Sequence, residues 1–426
     1  MAFCTAPLYN GFMINFCIYE DEGYLQLDPL TTIRPAYCLQ TGSMRLLDRF
    51  QRFFQHGNIS LHCRDYLKYE LANQVDRLTI NQLNTGSPCL FVNGRVVMTD
   101  ALAEMIISED TSQNFLLTYQ GQVVAMYLRA DQLGAMKTLL NKIPSNEALI
   151  KTFRAACRTK ELDDCTVINY PWDLISVHAA ALESDFAGIT RKGLIKGTMG
   201  NLSVLYNDAN MFIGSDVECE DFVVLDARKG PIIIGKNVTI KGHSRLEGPL
   251  FLAEGVTVQA GSTLTNVSIG KHCKIGGEVS SSIFHSYSNK SHSGFCGHSV
   301  IGEWVNMGAN TTISNLKNNY DTVRMGPDKI DTGLQFCGAM VGDHVKLGIG
   351  TLMNCGSRIG FGSSLMGTTV HHGDIPAFSW GEAPQYDAHK LDKFLVTADR
   401  MSVRRGISFG DRFKELIGLL YKAKRG

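Results

Sequence analysis

Residues 231–270 read PIIIGKNVTIKGHSRLEGPLFLAEGVTVQAGSTLTNVSIG, and this stretch decides the fold. Aliphatic side chains recur in it at every sixth position: Ile234, Ile240, Leu246, Leu252, Val258 and Leu264. A helical face requires spacings of three and four, and a half-buried strand requires a spacing of two. A spacing of six is typical of a parallel β-helix, in which three hexapeptides form one coil and the aliphatic side chains stack inside it.

The same spacing continues toward the C-terminus. After a slip of one residue, aliphatic side chains recur at these positions: Ile269, Ile275, Ile301, Met307, Val341, Leu347, Met353, Ile359 and Leu365. Glycine often follows them, and glycine or asparagine tolerates the backbone of a sharp corner. The alternative, a glycine-rich β-sandwich, does not keep one register through so many repeats. The sequence therefore predicts a left-handed parallel β-helix over residues 201–375.

Strand-like and helix-like runs alternate in the first 200 residues. Strands are predicted at 13–19 and 89–92, a hairpin at 115–127, and helices at 43–54, 132–141 and 146–158. This alternation favours an α/β domain with a largely parallel sheet, which we place at residues 1–200. In the remaining segment, 376–426, a helix is predicted at 409–422, and its apolar face contains Phe413, Leu416, Ile417 and Leu420. We expect this face to pack on its own domain or trimer, and binding to a partner is the alternative.

The composition excludes several classes of partner. The 426 residues include 41 Lys and Arg against 41 Asp and Glu, so no net charge favours nucleic acid or an anionic membrane. No apolar run reaches membrane-spanning length, and the N-terminus lacks the basic start of a signal peptide. The 12 Cys form no close pairs, which suits buried thiols in a reducing compartment. We therefore expect a cytoplasmic protein.

Two polar breaks interrupt the six-residue spacing, one at 279–300 and one at 315–324. The first contains His285, His292 and His298, and the second contains Leu-Lys-Asn-Asn-Tyr-Asp. Loops that project from a rigid scaffold often carry function. The histidines are open to three interpretations: structural hydrogen bonding, metal binding, or general base catalysis by an imidazole that titrates near neutrality. The spacing lacks a close His-x4-His pair, so general base catalysis fits best.

Residues 291–310, SHSGFCGHSVIGEWVNMGAN, give the chain a resemblance to a known family. They resemble the acetyltransferase half of the bifunctional N-acetylglucosamine-1-phosphate uridylyltransferases and glucosamine-1-phosphate acetyltransferases. The resemblance implies that His292, ten residues before Gly302, is the catalytic base. It also implies that Asn306, Asn319 and Tyr320 contact the substrate. Lys290 and Arg324, from the same breaks, are two further candidates for substrate binding.

The N-terminal half resembles a divergent, sugar nucleotidyltransferase branch of the same enzymes through DPLTTIRP at 28–35, NGR at 93–95 and WDL at 172–174. It departs from the usual pattern, because no Gly-rich phosphate loop precedes residue 60. Four residues are candidates to hold a sugar or nucleotide phosphate instead: Arg34, Arg45, Asn93 and Arg95. A structural role for the arginines is the alternative. If they bind phosphates, we expect Arg34 and Arg95 to be exposed in the empty site.

The resemblance implies a transferase with two activities. The N-terminal domain is expected to transfer a nucleotide from a nucleoside triphosphate to a sugar-1-phosphate with Mg²⁺, and the β-helix to transfer an acyl group from acetyl-CoA within a homotrimer. The identity of the acyl acceptor is left open. Three positions that carry Lys, Arg and Tyr in the family are occupied in this chain by Ser280, Ser262 and Phe295. The competing hypothesis is a non-catalytic trimeric scaffold or regulatory protein with a degenerate nucleotidyltransferase domain.

Overall fold

The structure, a computed structural model, describes residues 15–54, 57–75 and 78–425. Met13 and Ile14, which begin the strand predicted at 13–19, lie outside the described residues. Within the described residues, the N-terminal domain has nine strands: β1 (Asn15–Tyr19), β2 (Gln40–Thr41), β3 (Met44–Arg45), β4 (Asn58–His62), β5 (Thr79–Ile80), β6 (Cys89–Asn93), β7 (Phe115–Tyr119), β8 (Gln122–Leu128) and β9 (Arg158–Glu161). Its helices are α1 (Leu46–Phe53), α2 (Lys68–Ala72), α3 (Asp100–Ser108), α4 (Leu133–Leu140), α5 (Asn146–Phe153), α6 (Asp173–Ser176) and α7 (His178–Ala187).

Seven of these strands form one sheet in the order β5-β4-β1-β6-β8-β7-β9. Strand β8 runs antiparallel to β6 and β7, and the other pairs are parallel, which confirms the predicted α/β domain. Local sequence sets the helix starts: the side chains of Thr99 and Ser145 accept backbone N–H groups at the beginnings of α3 and α5. Helices α4 and α5 cover one side of the sheet, where Tyr19 and Phe91 are buried against Phe153.

The solenoid is a parallel β-helix with three faces. The docked face contains β12 (Met211–Ile213), β15 (Ile232–Ile234), the second halves of β17 (Arg245–Leu252) and β19 (Thr263–Ile269), β22 (Ile283–Phe284), β25 (Val300–Ile301), β30 (Met340–Val341), β33 (Arg358–Ile359) and β36 (Asp374–Ile375). The open face contains the first halves of β17 and β19 with β11 (Val204–Tyr206), β14 (Val224–Asp226), β21 (Glu278–Ser280), β24 (Phe295–Gly297), β27 (Thr312–Ile313), β32 (Leu352–Met353) and β35 (Val370–His371).

The third face, called the helix face, pairs the remaining parallel strands and ends in an antiparallel hairpin. It contains β10 (Thr198–Met199), β13 (Glu218–Cys219), β16 (Thr239–Ile240), β18 (Thr257–Val258), β20 (Lys274–Ile275), β23 (Asn289–Lys290), β26 (Asn306–Met307), β31 (Lys346–Leu347), β34 (Ser364–Leu365), β37 (Ser379–Glu382) and β38 (Gln385–Ala388). A separate hairpin, β28 (Arg324–Met325) with β29 (Ile330–Asp331), projects from the coils.

Strand register confirms the hexapeptide prediction. In regular coils the paired residues are 18 positions apart, as in Thr239 with Thr257 and Leu352 with Val370. Every aliphatic position of the six-residue series is at most 3% exposed and lies in the solenoid core. The first polar break shortens the coils. The second inserts residues, since Asn306 pairs with Lys346, 40 positions later. The left-handed sense stays a prediction.

The N-terminal domain lies against the docked face. The hydrophobic core on one side of its sheet continues into the solenoid and includes Ile283, Val300 and Met340. Farther along the same face, Phe186 of α7 packs with Phe251. Because this interface is part of a hydrophobic core, the two domains form one continuous unit.

Two helices end the described chain, α8 (Leu391–Val403) and α9 (Asp411–Arg425). The four predicted apolar residues of α9 are buried against Phe361 and Phe378 of the solenoid, so the expected packing on its own chain is confirmed. Helix α8 was not predicted. No described helix has the length and apolar character required to cross a bilayer.

Several predicted boundaries were wrong for local reasons. The helix expected at 43–54 begins at Leu46, because Gln40–Thr41 and Met44–Arg45 form a hairpin around Gly42 at φ +64°. The helix expected at 146–158 ends at Phe153, and Arg158 begins an edge strand beside β7. Pro376 does not end the solenoid pattern, since β37 still pairs with β34.

Candidate functional site

Strands β1, β4 and β6 run parallel, so their carboxyl ends meet at one edge of the sheet, where α/β proteins usually bind ligands. Two buried ion pairs lie at this edge. Glu20, after β1, accepts hydrogen bonds from Arg64 at 2.9 and 3.1 Å. Asp21 accepts hydrogen bonds from Arg95, after β6, at 2.7 and 2.6 Å. These pairs fix the loops that follow the strands.

Arg95 and Asn93 have structural partners for their polar groups. The Arg95 guanidinium also donates to the Asn169 side chain at 2.6 Å, to Gln122 at 3.0 Å and to the Ile168 carbonyl at 3.2 Å. Asn93 donates to Asp21 at 2.9 Å and to the Val123 carbonyl at 3.1 Å. Arg95 is 2% exposed, so the expectation that it is exposed is wrong, and all its donors are engaged within the protein.

Arg34 and Arg45 also contact carboxylates. Arg34 is 5% exposed, again contrary to expectation, and donates to Asp343 of the solenoid at 2.6 Å, with Glu303 at 3.3 Å. It therefore connects the two domains. Arg45 donates to both oxygens of Asp48, at 2.9 and 2.7 Å, at the start of α1. The structural interpretation of these arginines is the one that the contacts support.

A cavity of about 490 Å³ opens beside the same edge of the sheet. The N-terminal domain contributes Tyr24, Asp28, Arg64 and Trp172 to it, among others. The solenoid contributes the tip of the β28–β29 hairpin and Arg358, and α9 contributes Lys424. Cavities of this size accommodate drug-sized ligands and cofactors. The cavity is thus formed jointly by both domains and the C-terminal helix.

Aromatic side chains form part of the cavity wall. Tyr170 and Trp172 stack with their ring centroids 4.5 Å apart and their planes within 6°. The turn that carries them is held by Asp173, which accepts the backbone N–H groups of Asn169 and Tyr170 at 2.8 and 2.9 Å. On the same lining, the Arg64 guanidinium lies 4.0 Å from the centroid of the Tyr24 ring. Flat aromatic faces of this kind can stack with a planar heterocycle.

Charged groups of both signs also line the cavity. Asp28 lies 3.4 Å from Arg358 and 3.8 Å from Lys424, and it accepts a hydrogen bond from Thr32 at 2.9 Å. Asp328, at the tip of the hairpin, is exposed. The contacts of Asp28 with the two cations are longer than those of a tight charged hydrogen bond. These groups are therefore available to a ligand that carries both phosphate and a cation.

Two carboxylates line the cavity, those of Asp28 and Asp328. Among the described residues, no group of three or more His, Cys, Asp and Glu side chains is placed to hold a metal by itself. Mg²⁺, however, usually binds one or two carboxylates together with substrate phosphates. The donor set thus fits a Mg²⁺ that arrives with a nucleotide, and it does not fit a metal held by protein ligands alone.

In the solenoid, His292 is exposed at the corner between the helix face and the open face. Asn306 is also exposed and lies one coil farther on, because Asn289 of β23 pairs with Asn306 of β26. The Ser293 hydroxyl donates to the Asn310 side chain at 2.6 Å and connects the same two coils at this corner. The structure therefore places His292 and Asn306 on neighbouring coils.

The other predicted acceptor contacts lie elsewhere. Asn319, Tyr320 and Arg324 belong to the insertion between β27 and β30, at the corner between the open face and the docked face. All three are exposed, and Tyr320 is 68% exposed. Within one chain they and His292 are therefore at different corners. A cleft that contains both groups requires a second chain.

Two residues of the first polar break are structural. Lys290 is 1% exposed, and its ammonium donates to the carbonyls of Gly276, Gly294 and His292 at 2.7, 2.7 and 3.1 Å, which contradicts a substrate-binding role. His285 is 3% exposed: its Nδ1 donates to the Ile301 carbonyl at 3.0 Å, and its Nε2 accepts from the Gln40 N–H at 3.3 Å. Burial lowers the pKa of His285 to about 3, so it is not a general base.

Four residues that line the cavity were not predicted from the sequence: Tyr24, Asp328, Arg358 and Lys424. They are separated by up to 400 residues in the chain, and none belongs to a recognisable motif. Trp172 and Asp28, which also line the cavity, belong to the motifs WDL and DPLTTIRP that carry the resemblance. No sequence signal was available for the others, because the cavity exists only where three separate parts of the chain meet.

Comparison with known proteins agrees with the resemblance drawn from the motifs. Residues 16–193 match the family model described as "Sugar nucleotidyl transferase". A "Bifunctional sugar-1-phosphate nucleotidylyltransferase/acetyltransferase" of Sulfurisphaera tokodaii is 30% identical over 45% of this chain and 42% of its own. A "Bifunctional protein GlmU" of Methanococcus aeolicus is 30% identical over 29% of this chain and 28% of its own. The matches thus cover less than half the length of these two relatives.

A longer match, to a "Bifunctional protein GlmU" of a Janthinobacterium, covers 71% of this chain and 69% of that protein at 22% identity. Among solved structures, the polySia specific acetyltransferase NeuO overlaps 50% of this chain and 98% of its own, with 15% identity and a TM-score of 0.28. A UDP-N-acetylglucosamine acyltransferase from Campylobacter jejuni overlaps 54% and 92%, with 17% identity and a TM-score of 0.24. The fold assignment rests on the strand pairing of this chain itself.

Proposed function

We propose that the chain is a sugar-phosphate transferase that transfers a nucleotide in the N-terminal half and an acyl group on the solenoid. The proposal keeps the expected division into a nucleotidyltransferase-like domain at 1–200, an acyltransferase-like β-helix at 201–375 and a tail at 376–426, except that β10 and the β37–β38 hairpin belong to the solenoid. The observation that carries the proposal is the cavity of about 490 Å³ at the carboxyl ends of β1 and β4, because its N-terminal wall belongs to the residues that match sugar nucleotidyl transferases. We place this protein in the cytoplasm.

In the proposed first reaction, an oxygen of the sugar-1-phosphate attacks the α-phosphorus of a nucleoside triphosphate. A new phosphorus–oxygen bond forms, the bond to the β-phosphate breaks, and pyrophosphate leaves. The stacked Tyr170–Trp172 pair offers a face to the base, and Asp28 with Asp328 would hold Mg²⁺. Bound Mg²⁺ supplies charge neutralisation for the phosphates. The protein contributes mainly by positioning the two substrates.

A direct assay tests this activity. The protein is incubated with Mg²⁺, each of five triphosphates (ATP, CTP, GTP, UTP and dTTP) and a panel of sugar-1-phosphates, and products are detected by mass spectrometry. We expect pyrophosphate and one nucleotide sugar in equal amounts. If no pair yields pyrophosphate, nucleotidyl transfer is excluded.

In the proposed second reaction, His292 takes a proton from an amine of an amino-sugar phosphate as the nitrogen attacks the thioester carbon of acetyl-CoA. The C–N bond forms, the C–S bond breaks, and the coenzyme A thiolate leaves and takes up a proton. A positioned general base typically contributes about 100-fold to 10,000-fold. Because Asn319 and Tyr320 are at another corner from His292, we propose that they reach the cleft from a neighbouring chain of a homotrimer.

Variants of exposed histidines test the base. We expect His292→Ala to lower acetyl transfer from acetyl-CoA by at least about 100-fold and to leave nucleotidyl transfer unchanged. His372→Ala is the matched control, since His372 is also an exposed solenoid histidine. Acetyl transfer at the wild-type rate by the His292 variant excludes this role for His292.

A second candidate function, a non-catalytic scaffold, is favoured by one observation. The arginines at the sheet edge bind the protein's own carboxylates, as in Arg64 with Glu20 and Arg95 with Asp21, and no Gly-rich phosphate loop precedes them. The same product assay distinguishes the candidates, because a scaffold forms neither a nucleotide sugar nor pyrophosphate.

A further inference from the structure

The N-terminal domain contributes one cation to the cavity lining, and a carboxylate neutralises it. This cation is Arg64, which contacts both oxygens of Glu20 and also donates to the Tyr66 hydroxyl and to the carbonyls of Thr31 and Arg34. The three phosphates of a nucleotide carry several negative charges. A phosphate site at this cavity therefore needs positive charge from outside the N-terminal domain.

The other two cations of the lining come from the C-terminal half of the chain. Arg358 lies on the docked face of the solenoid, where it is 3.2 Å from Asp374 and 3.4 Å from Asp28. Lys424 lies in the last turn of α9, with its side chain 43% exposed and Asp28 at 3.8 Å, beyond hydrogen-bonding distance. Lys424 is thus the cation of the lining with the weakest contact to a carboxylate.

Helix α9, which carries Lys424, has contacts near both of its ends. Helix α9 is anchored on the solenoid by the next residue, Arg425, which donates to the Ala377 carbonyl at 2.9 Å and to the Ser379 hydroxyl at 2.7 Å. At its other end, Arg412 lies 4.8 Å from the ring centroid of Tyr69 in the N-terminal domain. The helix therefore spans both domains and holds Lys424 at the cavity.

We propose that Arg358 and Lys424 bind the phosphates of the nucleotide, so that the C-terminal half supplies the charge that a Gly-rich loop would otherwise provide. The inference rests on the proposed nucleotidyl transfer and specifies how that site recognises its substrate. Asp28 lies between the two cations and would repel a bare phosphate. The site therefore suits a nucleotide that carries Mg²⁺, because Asp28 can bind the metal while Arg358 and Lys424 contact the phosphate oxygens.

Lys424 is the sharper test, because Arg358 also pairs with Asp374 and its removal affects the solenoid. The variants are Lys424→Ala, Lys424→Arg and the matched control Lys422→Ala, which removes an exposed lysine two residues earlier on the same helix. Each full-length protein is titrated calorimetrically with ATP, CTP, GTP, UTP and dTTP in Mg²⁺, at two salt concentrations.

We expect Lys424→Ala to weaken the best-bound triphosphate about tenfold and to reduce the salt dependence of its affinity. Lys424→Arg and Lys422→Ala are expected to retain affinity within about twofold, with melting temperatures unchanged, since exposed substitutions cost little stability. Equal affinity in wild type and Lys424→Ala overturns the inference, as does an equal loss in Lys422→Ala. If wild type binds none of the five, the proposed nucleotidyl transfer itself fails.

Discussion

Arg34, Arg64 and Arg95 each face a carboxylate that is 0% exposed, in Asp343, Glu20 and Asp21 respectively. Such pairs contribute little net stability relative to apolar side chains of the same size, but the loss of one partner leaves a buried charge unpaired. At the scale of single residues, these arginines therefore determine whether the loops at the sheet edge keep their positions. Their effect on ligand binding follows from that structural role.

Replacement of Arg95 tests this role. We expect Arg95→Ala to lower the free energy of unfolding by about 3–5 kcal/mol, because Asp21 loses its partner in a buried site. Guanidinium titration of both proteins measures the difference. Arg191→Ala, at an exposed arginine, serves as control and is expected to change stability by less than about 0.5 kcal/mol. An Arg95→Ala protein as stable as the control contradicts the structural interpretation.

We expect the buried carboxyl of Asp343 to make the free energy of unfolding depend on pH. Burial raises the pKa of this carboxyl from 3.8 to about 6, against the attraction of Arg34, and its Oδ2 has no hydrogen-bond partner among the described residues. Because the folded-state pKa of Asp343 lies above the unfolded value, protonation of this carboxyl stabilises the folded protein. The stabilisation is complete below pH 4, is lost as pH rises through about 6, and amounts to at most about 3 kcal/mol.

The substitution Asp343→Asn removes the titrating group. Urea denaturation between pH 4 and pH 8 is expected to show a flatter stability profile for this variant than for wild type. If the free energy of unfolding of Asp343→Asn falls as steeply between pH 4 and pH 8 as that of wild type, the pH dependence belongs to other groups.

At the scale of elements, helix α9 and the β28–β29 hairpin turn an edge of a sheet into a cavity. Ile417, on the apolar face of α9, is 0% exposed, while Leu419 on the same helix is 61% exposed. Removal of a buried Ile side chain typically costs about 2–5 kcal/mol, which is enough to release a helix locally. The position of α9 as one wall of the cavity therefore depends on residues that do not line the cavity.

Paired alanine variants test this dependence. We expect Ile417→Ala to accelerate hydrogen exchange in residues 411–425 and to weaken nucleotide binding, because Lys424 is no longer held at the cavity. Leu419→Ala is the control and is expected to change neither measurement, since its side chain makes little buried contact. Faster exchange of α9 with unchanged nucleotide affinity excludes the helix from the site.

At the scale of the whole molecule, the three faces of the solenoid differ in what covers them. The N-terminal domain packs on the docked face, and the turn that follows α8 reaches the helix face, where Arg405 donates to Asn289 at 2.8 Å. On the open face Leu352 and Val370 are 40% and 41% exposed on neighbouring coils, and Ile349 at the adjoining corner is 78% exposed. We therefore expect the open face to join the chains of the proposed homotrimer.

Light scattering tests the assembly. The wild type is expected to have three times the chain mass of 46.9 kDa, and the double variant Leu352→Asp, Val370→Asp the mass of one chain. Acyl transfer is expected to be lost with the trimer, while nucleotidyl transfer remains, because its cavity lies within one chain. Val396→Asp, at an exposed position of α8, is the control and is expected to stay trimeric. A monomeric wild type contradicts the shared acyl-transfer cleft.

The solenoid could be predicted from the sequence, because a hexapeptide repeat is a local pattern in which every coil imposes the same requirement at the same position. From Ile234 to Leu365 the predicted interior positions are all buried. It also determined the existence of the α/β domain and the apolar face of α9, which follow from periodicities within single elements. The hairpin at 40–45 and the early end of α5 were not predicted, because both depend on strand pairing, and periodicity within one segment does not show the partner strand.

Which charged residues line the cavity could be learned from the folded chain alone. In the sequence, Arg34 and Arg95 are equivalent to Arg358 and Lys424 as cations, yet the fold places a buried carboxylate directly against each of the first two. The cavity likewise brings together Tyr24, Asp328 and Lys424, which are far apart in the chain. The physical reason is that burial and ion pairing are set by long-range packing, and no local pattern records which carboxylate will meet which arginine.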